Sequence, residues 1–273
     1  MSSATININK SSRISERFGR HGVYKASQMS QIVAVKIRES AALAYQRPEV
    51  HDDENSDDDE LDKENKRKLG ELMALNHDHV ARFIGVSTVT LDSKTYRGCL
   101  VMEYGAGGSL HTALKNHALY QKRLAQSIIQ QIASGLEYLH SKGKLHGNLK
   151  ASNVIFKDEN RTQVMISDFC LPKTYRDDSS IPTVFQRTHN VYTRGCDVFS
   201  LAAIARAIIN NEMPMRLPTV EQLETEYDMV TLKEEHPERY KAIFNSLFRD
   251  EESAPSAAEF TAAFTPCLPI CTF

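Results

Sequence analysis

The fold is decided by one stretch of sequence, His146-Gly147-Asn148-Leu149-Lys150-Ala151-Ser152-Asn153, together with Ser167-Asp168-Phe169-Cys170 shortly after it. Asn153 and Asp168 carry hard oxygen donors, the ligands that Mg²⁺ prefers in proteins. Asn148 carries a neutral amide, which can orient a hydroxyl group but has no useful basicity near pH 7. The two stretches therefore carry polar side chains with oxygen donors, and residue 148 among them cannot accept a proton.

Strands and helices are predicted on both sides of this stretch. Segments rich in β-branched or aromatic residues predict strands at 31–37, 81–89, 96–104, 154–156 and 164–166. Helical spacing of apolar residues predicts a helix that begins near Asp62, a long helix from Leu124 to Leu139 closed by Gly143, and an apolar helix from Asp197 to about Asn210. The predicted helical tail contains Tyr240, Phe244, Leu247, Phe248, Phe260 and Phe264.

A glycine-rich segment, Gly105-Ala106-Gly107-Gly108, divides the strand-rich part of the chain from the helix-rich part. Because glycine is conformationally permissive, we expect a flexible connection there, with Ser109 as the N-cap of the next helix. The fold class is predicted as α+β with two lobes. The N-lobe, residues 1–104, is small and β-rich with one helix. Residues 105–108 form the hinge, and the C-lobe, residues 109–273, is larger and mainly helical.

The order of these motifs resembles that of a protein kinase domain. Val33-Ala34-Val35-Lys36 stands on a strand, and a helix, the hinge, the 146–153 stretch and Asp168-Phe169 follow in the kinase order. In kinases the stretch reads His-Arg-Asp-Leu, and its Asp accepts the proton of the substrate hydroxyl. Here Gly147 and Asn148 replace the Arg and the Asp. The resemblance therefore implies a bilobal kinase-like fold and a pseudokinase, a domain impaired in kinase chemistry.

Within the kinase superfamily, the chain looks most like the kinase-homology domain of membrane receptor guanylyl cyclases. That family carries His-Gly-Asn-Leu-Lys at the place of residues 146–150, and Ala81-Arg82-Phe83-Ile84-Gly85 is similar to it as well. The resemblance implies an ATP-responsive regulatory domain that signals through conformation or through contacts with protein partners.

The resemblance also implies ATP, with Mg²⁺, as the candidate ligand. Lys36 would contact the α- and β-phosphates, Val23 would cover the adenine ring, and Asn153 and Asp168 would hold the metal. Other interpretations stay open. Lys36 would then be an exposed lysine at a strand end, and Asn153 and Asp168 would serve as turn and cap residues.

Three further residues belong to the implied site. Glu103 and Tyr104 lie next to the hinge and are assigned to nucleotide binding by the resemblance. Lys150 is retained; it would face the γ-phosphate, or pair with a nearby acid as a structural residue. His146 is interpreted as a packed residue that supports the loop rather than as a general base.

The chain departs from the kinase pattern at several places. Lys68 stands where a glutamate usually pairs with the strand lysine; Glu64 or Glu71 would replace that carboxylate, or would neutralise Lys68. The segment from Gly19 to Gly22 lacks the glycine spacing of a phosphate loop, which makes close backbone approach to phosphates harder. Cys170 replaces a glycine, which favours a fixed conformation of the metal motif.

The segment between Asp168 and Asp197 is short for a kinase activation segment and contains no Ala-Pro-Glu motif. In active kinases that glutamate pairs with an arginine that precedes a proline near the C-terminus. Here the corresponding residues are Ser253-Ala254-Pro255, so the arginine is missing too. Loss of both partners avoids an unpaired buried charge and suggests a domain that kept its fold after catalysis was lost.

Composition bounds the remaining function classes. The chain has 273 residues, 41% of them hydrophobic, which is enough to bury a sizeable core. A net charge of −2 gives no general electrostatic reason to bind nucleic acid. No apolar run is long enough to span a bilayer and no signal peptide is evident, so we expect a cytoplasmic protein.

Two further features, an acidic tract and the cysteines, are interpreted mainly without a functional role. The acidic tract at about 47–62 is predicted to be a solvated surface insertion, with a regulatory or metal-binding role as the alternative. The cysteines lack paired metal-ligand spacing, so reduced thiols are expected at Cys99, Cys170, Cys196, Cys267 and Cys271.

Three functions remain after the sequence is considered. The leading one is a pseudokinase regulatory domain that binds ATP through Lys36, Asn153 and Asp168. The second is a weakly active protein kinase that transfers phosphate from ATP to protein. The third is an interaction scaffold that binds no nucleotide.

Overall fold

The computed structural model describes residues 6–8, 13–14, 21–38, 67–117, 122–170, 193–212, 221, 227–248 and 255–265. These residues form two compact units, one within residues 1–105 and the other within residues 106–273. Several predicted features lie outside the described residues, among them the acidic tract, the segment that follows Cys170, and the pair Cys267 and Cys271.

The first unit is a five-stranded sheet with one described helix. The strands are β1 (Ile6–Ile8), β2 (His21–Gln28), β3 (Gln31–Arg38), β4 (Phe83–Leu91) and β5 (Lys94–Glu103), in the order β1-β4-β5-β3-β2. Helix α1 covers residues 67–73. Strands β2 to β5 pair antiparallel with their neighbours, and β1 pairs parallel with β4.

One face of this sheet forms a hydrophobic core, because the side chains of a strand alternate between two faces. Val33, Val35 and Ile37 of β3 point to the core face, and each is at most 2% exposed. The other members of this core are Ile6, Tyr24, Ala26, Val89, Leu91, Cys99 and Val101. Lys36 lies between Val35 and Ile37, so its side chain belongs to the opposite face.

The second unit is mainly helical. A small sheet contains β6 (Gly108–Ser109), β7 (Val154–Phe156) and β8 (Val164–Ile166). The helices are α2 (Leu110–Lys115), α3 (Lys122–Ser141), α4 (Arg194–Ile209), α5 (Tyr227–Glu235), α6 (Pro237–Phe248) and α7 (Ala257–Phe264), with a short 3₁₀ helix at Ala151–Asn153. The apolar stripe of α3 is buried, with Ile128, Ile132 and Leu136 each 0% exposed.

The predicted bilobal α+β fold is confirmed, with a β-sheet unit followed by a mainly helical one. Ser109 caps α2 as expected, since its side chain accepts a hydrogen bond from the backbone N–H of Thr112. Strands β1 and β6, helix α5 and the 3₁₀ helix were not predicted. The strand predicted to begin at residue 81 begins at Phe83. Arg82 precedes the strand because its N–H donates to the side chain of Glu103, and only its carbonyl oxygen accepts a backbone hydrogen bond from that residue.

The glycine-rich segment differs from the flexible connection that was expected. The backbone N–H groups of Ala106 and Gly107 donate to the carbonyl oxygens of Lys157 (3.1 Å) and Phe156 (3.2 Å). Arg161 Nε donates to the Gly107 carbonyl at 3.0 Å. A Cβ at residue 107 would overlap the carbonyl oxygen of Asp158. Glycine is needed here for close packing against the β7–β8 turn, which fixes this part of the segment.

Two predictions from composition concern thiols and membrane spans. Cys99, Cys170 and Cys196 are free thiols, as expected. Burial raises the pKa of Cys99 to about 12, so this thiol is unreactive near neutral pH. None of the helices in the described ranges combines the length and the hydropathy needed to cross a membrane.

Candidate functional site

Asp197, near the start of α4, holds the 146–153 stretch through hydrogen bonds to its backbone. Its side chain is 0% exposed. Oδ2 accepts hydrogen bonds from the backbone N–H of His146 (2.8 Å) and from His140 Nε2 (2.9 Å), and Oδ1 accepts from the Gly147 N–H (3.0 Å). Burial by itself raises the pKa of Asp197, but the hydrogen bond from His140 and the bonds from the loop amides lower it overall. An ionised carboxylate therefore fixes two successive amides of the loop.

His146 is packed inside the loop and stays neutral. Its Nδ1 accepts a hydrogen bond from the Asn148 N–H at 3.3 Å, which places the ring proton on Nε2. Nε2 is buried and finds no hydrogen-bond partner among the residues that the structure describes. Burial lowers the pKa of His146 to about 4. This agrees with a supporting role for His146, since a general base that works near neutral pH needs a pKa close to 7.

Asn148 and Asn153 of this stretch are connected by a hydrogen bond. Asn153 Nδ2 donates to the Asn148 carbonyl oxygen at 2.8 Å, and both side chains are nearly buried. Because the nitrogen end of the Asn153 amide makes this bond, its Oδ1 end is the one that can ligate a cation. The loop is thereby closed on itself around residue 148.

The β7–β8 hairpin brings Asn153 to the metal motif. Val154 pairs with Ile166, so the residues just outside this pair, Asn153 and Ser167, are neighbours. The N–H and Oγ of Ser167 both donate to the Asn153 carbonyl oxygen, at 2.8 and 3.1 Å. Asp168 follows directly. The structure thus places the two predicted metal ligands at the same end of one hairpin.

Asp168 and Cys170 both have left-handed backbone conformations, with φ values of 61° and 52°. This conformation costs a non-glycine residue about 1 kcal/mol or more. Cys170 is held there by two bonds, since its N–H donates to the His146 carbonyl (3.0 Å) and its Sγ donates to the Leu145 carbonyl (2.7 Å). The predicted metal motif is therefore hydrogen-bonded to the loop that carries Asn148. The fixed conformation expected from Cys170 stays a prediction.

The donor set fits Mg²⁺ in kind but is incomplete by itself. Asn153 and Asp168 offer an amide oxygen and a carboxylate, which are hard ligands. Among the described residues there is no group of three or more His, Cys, Asp or Glu side chains that could hold a metal ion. Mg²⁺ usually completes its shell with water and substrate phosphates, so two protein ligands suit a metal that arrives with a nucleotide.

Lys150 lies beside these residues, at the N-cap of the 3₁₀ helix. Its backbone is extended, with φ −157° and ψ 162°, and its carbonyl accepts a hydrogen bond from the Asn153 N–H at 2.9 Å. The side chain is half-buried. Both interpretations of Lys150, phosphate contact and structural pairing, stay predictions.

In the first unit, Lys36 and Val23 lie on the same face of the sheet. They are direct cross-strand partners in the β2–β3 pair, and direct partners share a face. Lys36 is 4% exposed, so it is not the exposed strand-end lysine considered above. Lys25 and its partner Ala34 lie two residues further along these strands on the same side. We call the surface that carries Val23, Lys25, Ala34 and Lys36 the Lys36 face.

Glu103 and Tyr104 lie at the end of β5. Glu103 uses both its side chain and its amide against Arg82: Oε2 accepts from the Arg82 N–H at 3.1 Å, and the Glu103 N–H donates to the Arg82 carbonyl at 2.9 Å. Tyr104 follows the strand and is half-buried, and Lys25 Nζ lies 5.1 Å from the centroid of its ring. Tyr104 therefore contacts a residue of the Lys36 face.

The residues that depart from the kinase pattern are only partly described. Lys68 lies half-buried on α1. Glu71 forms an ion pair with Arg67 at 2.8 Å, one helical turn before it. Glu64, Gly19 and Arg20 lie outside the described residues. The replacement of the missing carboxylate by Glu64 or Glu71 stays a prediction.

Sequence reasoning missed the functional importance of Asp197 and His140. Asp197 was used to mark the start of an apolar helix and the end of the segment that follows Asp168, and His140 was not considered. A signal was present, because a carboxylate near the start of an otherwise apolar helix must find donors once it is buried. The identity of those donors, His140 and two loop amides about 50 residues earlier, could not be read from spacing.

Comparison with known proteins shows which family the chain is similar to. A family model described as "Protein kinase domain" matches residues 21–261. The chain is similar to the MAP kinase kinase kinase mkh1 of Schizosaccharomyces pombe, with 25% identity over 75% of this chain and 19% of the relative. It is also similar to the serine/threonine-protein kinase STY46 of Arabidopsis thaliana, with 27% identity over 74% of this chain and 33% of the relative.

Among solved structures, the chain is similar to Rad53 in complex with AMP-PNP, with a TM-score of 0.63 and 21% sequence identity. The match covers 92% of this chain and 64% of that one. The chain thus spans about a fifth and a third of the two curated relatives and just under two thirds of the solved chain. None of these three proteins is named as a guanylyl cyclase.

Proposed function

The chain belongs to the protein kinase domain family, and from that premise we propose that it binds ATP with Mg²⁺ in a signalling role, with phosphoryl transfer impaired at Asn148. The observation that carries the proposal is the state of the 146–153 loop. Asp197 holds its backbone, Asn153 closes it, and residue 148 within it is a neutral amide. We therefore interpret the loop as a catalytic loop without its proton acceptor.

The retained residues support nucleotide binding. Kinases hold the α- and β-phosphates with a lysine on a strand, and they hold Mg²⁺ with an aspartate and an asparagine. By their sequence motifs Lys36, Asp168 and Asn153 correspond to these residues, and Val23 lies beside Lys36 on the Lys36 face. When bound, Mg²⁺ supplies neutralisation of phosphate charge. The protein's own residues bind and orient the phosphates, and Asn148 can orient a substrate hydroxyl without taking its proton.

How far transfer is impaired separates two functions. A pseudokinase regulator follows from Asn148, which cannot act as a general base. A weakly active protein kinase is supported better by the relatives, because they are named as kinases. Loss of a general base typically costs about 10²–10⁴ in rate, or roughly 3–5 kcal/mol in barrier, so slow transfer remains chemically feasible.

The resemblance to receptor guanylyl cyclases, the involvement of protein partners and a cytoplasmic location belong to the same proposal and rest on the sequence. Whether Lys150 faces a γ-phosphate also belongs here. The interaction scaffold without nucleotide is a weaker candidate, because a buried Lys36 beside Val23 has a ready use in phosphate binding.

Nucleotide binding is tested by thermal denaturation of the full chain with and without ATP and Mg²⁺. A ligand at about 100 times its Kd stabilises the folded state by about 2.7 kcal/mol. We expect a rise in Tm for the wild type and none for Lys36→Ala. An equal rise in both proteins, or none in either, would remove Lys36-dependent ATP binding from the proposal.

Phosphoryl transfer is tested with radiolabelled ATP and a general protein substrate. Transfer by the wild type that Asp168→Ala abolishes would establish the weakly active kinase. Asn148→Asp restores the carboxylate and is expected to raise the rate by about 10² or more. If the chain binds ATP but neither wild type nor Asn148→Asp transfers phosphate, the regulatory function without catalysis is favoured.

A further inference from the structure

Ser167 connects the two predicted metal ligands. It precedes Asp168 in the chain, and both its backbone and its side chain contact Asn153. The Ser167 N–H donates to the Asn153 carbonyl oxygen at 2.8 Å, and Oγ donates to the same oxygen at 3.1 Å. A carbonyl oxygen has two lone pairs, so it can accept both bonds at once. The residue next to Asp168 is therefore held to Asn153 by two hydrogen bonds.

The hydroxyl bond of Ser167 differs from those of two buried serines in helices. Ser200 and Ser246 donate to carbonyl oxygens four residues earlier in their own helices, at 3.0 and 2.7 Å. A serine inside a helix makes this local bond readily. Ser167 instead donates to a residue 14 positions away, and that residue is the other predicted metal ligand. The bond thus links the residue before β7 to the residue after β8, where both predicted ligands lie.

The backbone of Asp168 depends on such contacts, because it is left-handed, with a φ of 61°. This conformation is unfavourable for a non-glycine residue, so it persists only where the surrounding structure holds it. On one side of Asp168, Ser167 is bonded to Asn153. On the other side, the Cys170 N–H donates to the His146 carbonyl oxygen at 3.0 Å. Asp168 therefore lies between two attachments to the 146–153 stretch.

We infer that Ser167 is a positioning residue, whose hydroxyl group fixes the placement of Asp168 relative to Asn153 for Mg²⁺. The inference rests on the proposed function, in which both residues hold the metal of a bound ATP. Mg²⁺ requires a nearly ideal octahedral geometry with short ligand distances, whereas Ca²⁺ accepts longer distances and a more flexible arrangement of oxygen ligands. Loss of the hydroxyl bond should therefore weaken ATP binding more in Mg²⁺ than in Ca²⁺.

Calorimetric titration of the full chain with ATP in Mg²⁺, in Ca²⁺ and in EDTA tests the inference. Ser167→Ala removes the hydroxyl group and keeps the backbone bond. Because one neutral hydrogen bond changes an equilibrium constant by about two- to tenfold, we expect the Kd of ATP in Mg²⁺ to rise by about that factor. The rise should be smaller in Ca²⁺ and absent in EDTA. Ser167→Thr keeps a hydroxyl group and should keep the wild-type Kd in Mg²⁺.

Ser246→Ala is a matched control, since it also removes a buried hydroxyl bond to a backbone carbonyl and should leave all three Kd values unchanged. Ser167→Cys, whose thiol is a weak donor, repeats the test with a side chain of similar shape. If the wild type binds ATP but the rise in Mg²⁺ is absent, or no larger than the rise in Ca²⁺, the inference is wrong and the proposed function stands. If the wild type does not bind ATP in Mg²⁺, both are overturned.

Discussion

The fully buried histidine His146 is expected to make the stability of the protein depend on pH. Burial lowers its pKa to about 4 from 6.5, although the charges of Asp197 and Asp168 oppose this change; His140 acts in the same direction as burial. Between these two pH values the unfolded chain binds a proton that the folded chain does not. The free energy of unfolding should therefore fall by up to about 1.4 kcal/mol per pH unit as the pH decreases from 6.5 toward 4.

Urea denaturation at about pH 7.5, 6 and 5 measures this dependence. His146→Phe should lower stability at neutral pH, because it removes the acceptor for the Asn148 N–H, and it should flatten the slope between pH 6.5 and 4. Asp197 should contribute little to the slope of stability against pH in this range. Its lowered pKa stabilises the fold above 3.8, and that contribution is lost only as the pH falls below 3.8. An unchanged slope in His146→Phe would assign the pH dependence to other groups.

Replacement of Gly107 and of Gly70 by alanine should change the stability of the protein in opposite directions. Gly107 packs against the β7–β8 turn, and a Cβ there would overlap the Asp158 backbone. Gly70 lies exposed on α1, and a Cβ there meets nothing within 4 Å. Gly107→Ala should destabilise the protein by about 2 kcal/mol or more, since backbone has to shift. Gly70→Ala should stabilise it by about 0.5–1 kcal/mol through helix propensity.

The free energies of unfolding of the two glycine variants, measured in urea, test this contrast. A loss of stability in Gly70→Ala would mean that the exposed face of α1 packs against something. An unchanged free energy of unfolding in Gly107→Ala would mean that the 105–108 segment is flexible, as predicted from the sequence.

Strand β1 is short, but Ile6 ties it to the core of the first unit. Ile6 is 4% exposed and pairs with Val89 at the start of the parallel ladder with β4, whereas Asn7 is exposed. Ile6→Ala should cost about 2 kcal/mol in the free energy of unfolding. Asn7→Ala, in the same strand, should stay within about 0.5 kcal/mol of the wild type. Equal effects of the two substitutions would show that β1 contributes little packing.

The elements that sequence predicted well are those with strong local periodicity. The stripe of α3 and the alternation of β3 identify their own buried faces, and the Asn153–Asp168 relation follows from two short strands that pair as a hairpin. Strand β1 has only three residues, so its pattern is too short to be read. The Asp197 network joins residues about 50 positions apart, and such long-range donor choices depend on tertiary structure.

The proposed nucleotide-binding residues were predicted as residues rather than as geometry. Lys36 lies in the first unit, and Asn153 and Asp168 lie in the second. The proposed binding of ATP through all three residues makes a specific prediction. Lys36→Ala and Asp168→Ala should each remove most of the rise in Tm caused by ATP and Mg²⁺, and the double variant should lose little more. Groups that serve one ligand are coupled, so their effects on binding do not add.

The same cycle, repeated without Mg²⁺, separates the two contributions. Asp168→Ala should matter only when Mg²⁺ is present, because its proposed role is to hold the metal, whereas Lys36→Ala should matter in both conditions. Ile132→Val, in the core of the second unit, serves as a control, since it lowers stability by about 0.5–1.5 kcal/mol without touching the site. Its rise in Tm with ATP should equal that of the wild type. Independent, additive losses from Lys36→Ala and Asp168→Ala would instead contradict the proposal that both residues bind one nucleotide.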